Sequence, residues 1–379
     1  MPRVQQPANL RLAFLADPNS VHTRRWIDYF AEAGHDIHLL IGDEDAVHPG
    51  LRARVAVHRY RRFGVTRLPF ASSLQGGRAL RMLLDRINPQ VLHAHYLDGY
   101  GWQARLSEFH PYAVSIWGSD LFETPRRSAR ARWWARRTLA SADLVTVASS
   151  DMRAQVIGFG ARPDRVVQVQ FGVDTDRFAP GDADPRLEAQ LGVAGKRVIF
   201  SPRAIQPFYR HETIARAVAR LPEDVVLIMT SRNADRAYLA DFTRLANDLG
   251  LTDRMVIIED IADADMPGMY RLSQAVVSIP ESDGIAVSVL EAMACGRPVV
   301  ATDLPGLREF LHGETGVRLV AGADVEAVSE ALATILGMAP RNREPNVDGL
   351  RHIAVEFGDY RTNMRLMEDH YRRISERPR

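Results

Sequence analysis

Short apolar runs alternate with longer amphipathic stretches along almost the whole chain. Leu12 to Ala16, Ile37 to Ile41, Val91 to Tyr96, Tyr112 to Trp117 and Leu144 to Ala148 predict buried strands. Between them, His22 to Ala33, Ser73 to Ile87 and Arg126 to Ala140 predict helices. The rhythm resumes past the middle with Val198 to Ser201, Val225 to Thr230, Met255 to Glu259, Ala275 to Ile279 and Pro298 to Ala301. These strands are continuously apolar, so both faces must be covered, and helices separate them; together this predicts parallel sheets. The fold class is therefore α/β, a doubly wound architecture built twice. Gly172 to Gly195, with Asp174, Asp176, Pro180, Gly181, Asp182, Asp184 and Pro185, reads as a turn-rich seam. The expected division is residues 1–178, residues 179–355, and a terminal helix at 356–379 whose Met364, Met367 and Tyr371 share a face.

Composition narrows the classes. At roughly 150 residues per domain, 379 residues make two domains or three. Hydrophobic residues at 46% and charged residues at 25% exclude wholesale disorder. No apolar run reaches the roughly 18 residues of a membrane span, and the polar stretch Met1 to Leu10 carries no signal-peptide core. The lone cysteine, Cys295, excludes an internal disulfide framework and a cysteine zinc cluster, and a reducing cytoplasmic location is the expectation. Forty-eight basic residues against 47 acidic give no global signature of a nucleic-acid binder. Lysine occurs once, at Lys196, in a Gly-Lys-Arg context, so a P-loop is absent from the sequence and a Schiff-base enzyme is disfavoured. Up to Phe178 there are 24 basic and 17 acidic residues, and beyond it 24 and 30, so the front half is the more positive.

The chemistry concentrates between Ser278 and Thr302. A strand ends near Pro280, a loop with Asp283 and Gly284 follows, and a helix runs from about Ile285 to Gly296 before Pro298 opens the next strand. The loop thus sits at a helix amino terminus, where free N–H groups and the dipole favour a phosphate, and Gly284 lets that backbone approach a ligand. Glu291 lies two turns into the same helix. Two acids so placed can hold two separated hydroxyl-rich parts of one ligand.

The stretch Asp283 to Thr302, with Glu291-Ala-Met-Ala-Cys-Gly-Arg-Pro-Val-Val-Ala, resembles the signature of the retaining family 4 glycosyltransferases, which have the GT-B fold. Asn19 to Trp26, Gly34 to His38, His93-Ala-His95, Trp117-Gly-Ser-Asp120, Ala142 to Thr146, Phe171 to Phe178 and Ser201-Pro-Arg203 fall in the family's order and spacing. The resemblance implies two Rossmann-like domains across a cleft, the terminal helix returning to the first. It implies a nucleotide-diphosphate sugar as donor substrate, with no resident cofactor or metal, and a carbohydrate or lipid-linked hydroxyl acceptor. By position, Glu291 would bind the ribose, Asp283 the sugar hydroxyls, and the amides of Gly284, Ile285 and Ala286 the diphosphate, with Arg203 neutralising it. Transfer with retention through a short-lived oxocarbenium ion pair is implied. Three departures stand out. Asp283 replaces a glutamate, Phe208 and Tyr209 stand where a basic residue is usual with Arg210 nearest, and Trp117 replaces the histidine of His-Gly-x-Asp. Asp120 remains, as a sugar contact or as a helix cap.

On the acceptor side, His95 and Asp98 at a first-domain strand end, and His22 and Arg24 after the first strand, are the expected contacts. His93 and His95 share a face but lack an evident third metal ligand, so a structural role is favoured. Asp174-Thr-Asp176 and Asp263-Ala-Asp265 read as turn acids, and Gly158-x-Gly160 as a helix end. Arg126 to Ala140 sets Arg126, Arg130, Arg137 and Trp133 opposite an inward stripe of Ala131, Ala135 and Leu139, with Trp134 on one flank. That pattern suits either a solvated helix or a peripheral contact with an anionic membrane surface, at the inner face of the membrane. A nucleotide-sugar epimerase and a non-catalytic nucleotide-sugar-binding partner subunit are the alternatives to the transferase.

Overall fold

A computed structural model describes residues 9–47, 51, 55–62, 69–311, 316–337 and 347–376. The expectation for Met1 to Leu10 lies, up to residue 8, outside the described residues, as do residues 377–379 of the tail. The chain divides into two compact units: Met1–Phe171 with Arg361–Arg379, and Gly172–Tyr360.

The first unit holds a parallel sheet of β1 (Arg11–Leu15), β2 (Asp36–Gly42), β3 (Ala56–Tyr60), β4 (Val91–His95), β5 (Tyr112–Ser115), β6 (Leu144–Val147) and β7 (Val166–Gln168), in the order β3-β2-β1-β4-β5-β6-β7. The second holds β8 (Arg197–Ala204), β9 (Val225–Thr230), β10 (Met255–Ile258), β11 (Ala275–Ser278), β12 (Val299–Thr302) and β13 (Val317–Val320), also parallel, in the order β10-β9-β8-β11-β12-β13. Each sheet starts in its middle and winds first one way, then the other. The order therefore reverses between β1 and β4, and between β8 and β11. At such points the loops beyond the strand ends diverge and leave a crevice, where ligands of open parallel sheets bind.

All ten strands expected from apolar runs form. The three unexpected strands, β3, β7 and β13, are each at a sheet edge. β3 (Ala-Val-His-Arg-Tyr) buries only its last residue, and β7 and β13 only their first. A half-covered strand does not need a continuous apolar run, so the signal is missing there.

The seam is more ordered than its composition implies. Pro185–Leu191 is a helix, capped by Asp184 accepting from Arg186 N–H and ended by Gly192 at φ 67°. Asp-Pro followed by Gly serves helix starts and stops as well as turns. Arg126 to Ala140 is not one helix. Thr124–Arg127 forms a single turn, Ser128 is extended, and its hydroxyl caps Ala129–Ser141 by accepting from Ala131 N–H at 3.0 Å.

The last helix, Tyr360–Ser375, belongs from Arg361 onward to the first unit and buries Met364, Met367, Tyr371 and Ile374. Tyr371 accepts from the Trp26 indole at 3.0 Å and meets His93 Nδ1 at 2.5 Å. The preceding helix, Val347–Gly358, belongs to the second unit, where Val173 pairs with Asp359. The break between the two helices therefore falls at Asp359, three residues into the segment expected as one helix.

Candidate functional site

In the second unit, the loops that follow β8 and β11 are stitched together. Glu281 N–H donates to Phe208 O at 3.0 Å, and Arg210 Nη1 donates to Pro280 O at 3.2 Å. Arg203, near the end of β8, thereby reaches Asp283 in the β11 loop, with Nη2 3.1 Å from Oδ2. Its guanidinium lies 4.4 Å from the centre of the Tyr209 ring, and Nη1 is 3.5 Å from Ser288 Oγ. Burial works against charge on Arg203, but Asp283 and then Tyr209 outweigh it and hold its pKa above the usual value. Tyr209, which stands where a cation was expected, is thus a platform for a different cation.

The helix after this loop is Val287–Ala294, with Ala286 as its extended N-cap and no side chain capping it. An uncapped terminus offers N–H groups to an anion. Asp283 Oδ1 already accepts from Gly284 N–H at 2.8 Å. One carboxylate therefore bridges the guanidinium and the first loop amide. The loop rests on Gly306, where a Cβ would stand 2.2 Å from Gly284 O, so only glycine permits this approach.

Glu291 is 8% exposed and accepts from the Tyr270 hydroxyl at 2.9 Å. Tyr270 is fully buried, and burial followed by the Glu291 charge pushes its phenol well above the ordinary range, so it stays a donor. The sequence reading missed Tyr270, since an aromatic on a short helix reads as core. Arg210 stands in the left-handed region at φ 52°, and its guanidinium meets no carboxylate among the described residues. Ser201 Oγ, within β8, and Ser278 Oγ, at the end of β11, are buried without a hydrogen-bond partner. Cys295 is buried and its thiol is pushed up to about 12, so it is not a nucleophile.

In the first unit, the reversal point between β1 and β4 gathers a second group. His95 ends β4, 2% exposed, with Trp26 and Trp117 rings 5.1 and 5.5 Å away and neither ring nitrogen hydrogen-bonded. His22, at the start of the helix Val21–Glu32, packs edge-on to Trp117 at 5.3 Å. Arg24 is on the same first turn, half-buried. Asp98 follows β4 and accepts from Thr124 Oγ1 at 2.8 Å. Asp120 is fully buried. Its Oδ2 accepts from Leu97 N–H at 2.7 Å, and its Oδ1 from Trp117 and Gly118 N–H at 3.0 and 2.8 Å. It staples the β4 loop to the β5 loop, and desolvation raises its pKa to about 6 against those three bonds. His93 is bonded through Nε2 to Ser115 Oγ at 2.8 Å, and through Nδ1 to Tyr371. No group of three metal-ligating side chains forms among the described residues.

These buried groups give an acid response of definite sign. Burial lowers His95 to about 3 and His211 to about 4, and His93 well below its usual value. Each stabilises the fold above pH 6.5, and that stability is lost as pH falls toward the folded-state value. The loss is about 1.4 kcal/mol per pH unit for each group. Asp120 acts oppositely, its contribution being lost as pH rises through about 6, but it is one group against three. Calorimetric Tm should therefore fall by several degrees between pH 6.5 and 4.5. His95→Phe, which keeps the ring without a proton site, should flatten that slope; an unchanged slope would contradict the assignment.

Two doubly wound parallel units, the second carrying an arginine and a helix terminus at its reversal point, define the GT-B class of glycosyltransferases. Residues 11–149 match the family described as Glycosyl transferase 4-like, and residues 195–338 match Glycosyl transferases group 1. The chain belongs to glycosyltransferase family 4. It is 30% identical over 305 residues to D-inositol 3-phosphate glycosyltransferase of Mycobacterium tuberculosis, a match taking in 76% of this chain and 62% of that protein. Among solved structures, it resembles sucrose-phosphate synthase of Thermosynechococcus elongatus, with TM-score 0.80, 18% identity, and 96% and 98% of the two chains covered. HepE of Anabaena in complex with UDP matches with TM-score 0.80, 17% identity, and 96% and 100% covered. No helix among the described residues is long and apolar enough to cross a membrane.

Proposed function

We propose that the protein transfers a sugar from a nucleotide-diphosphate donor to a hydroxyl acceptor with retention, in the making of a cell-surface glycan or glycolipid at the inner face of the membrane. The observation that carries this reading is the meeting of Arg203 with the Asp283 loop at an uncapped helix start. Arg203 and Arg210, with the amides of Gly284 to Ala286, hold the diphosphate, so no resident metal or cofactor is required by the scheme. As the bond from the sugar's anomeric carbon to the phosphate oxygen breaks, the leaving group gains negative charge, which these groups stabilise. The acceptor oxygen bonds to the anomeric carbon on the same face, and its proton passes to the departing phosphate. Glu291 accepts from the ribose hydroxyls while Tyr270 fixes its other side. His22, Arg24, His95 and Asp98 serve the acceptor. The relative from Mycobacterium tuberculosis named for an inositol phosphate, and the neighbour that holds UDP, support a polar acceptor and a nucleotide donor.

Asp283 makes the reading testable. Its carboxylate sits where it competes with a diphosphate for Arg203 and Gly284 N–H. Donor binding requires that carboxylate to turn from the cation toward the sugar hydroxyls. Asp283→Asn should therefore bind a nucleoside diphosphate several-fold more tightly, yet transfer sugar at least tenfold more slowly. The experiment is a panel of nucleotide sugars and their diphosphates, read by thermal shift and by release of free diphosphate. Weaker diphosphate binding in the variant, or no stabilisation of the wild type by any member, would overturn the proposal.

A further inference from the structure

The first unit contains a cavity of about 130 Å³. Its wall is Leu97 and Gly99 from the segment after β4, Trp102, and the Ala131, Trp134 and Ala135 face of the helix Ala129–Ser141. The polar side chains that reach it, Asp98 and Thr124, are hydrogen-bonded to each other at 2.8 Å, which leaves the rest of the wall apolar. An open, apolar hole is costly to leave to water and selects an apolar occupant.

The rim is of the opposite character. Arg130 lies over the Trp134 ring at 5.8 Å, Arg137 over Trp133 at 5.4 Å and Arg105 over Trp102 at 5.2 Å. Trp133 is 45% exposed. Arg126, Arg130, Arg132, Arg136 and Arg137 are exposed, and among the described residues none has a carboxylate partner; Arg127 pairs with Glu123 at 3.5 Å. Surface cations normally sit among acids, so this run is an uncompensated positive band. An apolar hole ringed by tryptophans and uncompensated arginines matches an amphiphile with an acidic head and a hydrocarbon tail.

We propose that this cavity receives a hydrocarbon chain of an anionic membrane lipid, its acidic head held by Arg130 and Arg137. The consequence for substrate choice rests on the transferase reading. Leu97, Asp98 and Gly99 directly follow His95, so a chain seated here places an amphiphile's head beside the acceptor segment and narrows the acceptor to lipid-borne hydroxyls. The binding itself is independent of sugar transfer, and so is its test.

The probe is vesicles of phosphatidylglycerol with brominated acyl chains, compared with brominated phosphatidylcholine vesicles, at low salt with the full chain. Bromine quenches tryptophan on contact, and Trp102 and Trp134 line the cavity. Quenching is expected with the anionic vesicles only. Ala131→Leu, which fills the hole from a half-buried position, should abolish most of the quenching while leaving vesicle sedimentation intact. Thr124→Met, another lining position, gives the same reading if the first variant does not fold. The double variant Arg130→Ser, Arg137→Ser should weaken vesicle affinity roughly tenfold or more. Sedimentation without quenching, quenching unaffected by filling the cavity, equal response to both lipids, or no vesicle binding would each overturn the proposal. Sugar transfer to a water-soluble acceptor by a protein that ignores vesicles would sink this inference and leave the transferase reading standing.

Discussion

Arg203→Ala should lower kcat by about 10²- to 10³-fold, the range for removing one group that stabilises developing charge in a closed site. The guanidinium is largely buried, Tyr209 lies under its face, and Asp283 is its one ionic partner among the described residues. In such surroundings a cation is worth far more than in water. It acts on the diphosphate in the transition state, where the leaving group is most negative, so the loss should fall on kcat more than on KM. Arg203→Lys keeps a charge but has neither the planar fork nor the stacking face, and should recover only part of the rate. A Tm measurement separates this from misfolding. Removing the arginine leaves Asp283 partly buried beside Gly284 N–H, a cost of the second unit's local stability and not of its sheet. An alanine variant that is folded and retains wild-type turnover would refute the role.

Glu291→Gln should act on the other parameter. Glu291 lies on a helix that is buried from Ser288 to Ala294, and Tyr270 donates to one of its oxygens. The amide oxygen of glutamine can keep the Tyr270 bond and nearly the same volume. What is lost is a charged acceptor for ligand hydroxyls, worth about 1.5–3 kcal/mol. The donor KM should rise roughly 10- to 100-fold, with a smaller change in kcat, because ribose is held equally before and during bond breaking. Steady-state kinetics with varied donor check it. A fall in kcat with an unchanged KM would place Glu291 at the reacting sugar and not at the ribose.

The architecture was legible because it depends on burial. Strands covered on both faces must be continuously apolar, and nine of the ten apolar runs mark the two sheet interiors, the tenth being the half-buried edge strand β10. β3, β7 and β13 escaped because edge strands carry no such obligation, and the break at Ser128 escaped because one extended residue barely disturbs a helical periodicity. For the site, chain order placed Asp283 and Gly284 at a strand end and Glu291 two turns into the helix that follows, and the family resemblance added Arg203 to them. Their partners were not visible. Nothing in the spacing says that Tyr209 underlies Arg203, that Tyr270 reaches Glu291 from another helix, or that Gly306 makes room for the Gly284 carbonyl. Those are contacts between segments distant in sequence, fixed only when the sheet order brings them together. Asp120 shows the reverse case: its motif position suggests a sugar contact, while its oxygens hold three backbone amides in a fully buried setting.

The central claim is that the diphosphate binds at the reversal point of the second sheet, between Arg203 and the start of the helix Val287–Ala294. Calorimetric titration of ADP, GDP, UDP and dTDP against the wild type and folded Arg203→Ala tests it most directly. At least one nucleoside diphosphate should bind the wild type, and the same one should bind the variant at least tenfold more weakly. A nucleoside diphosphate that binds both proteins with equal affinity would contradict the account.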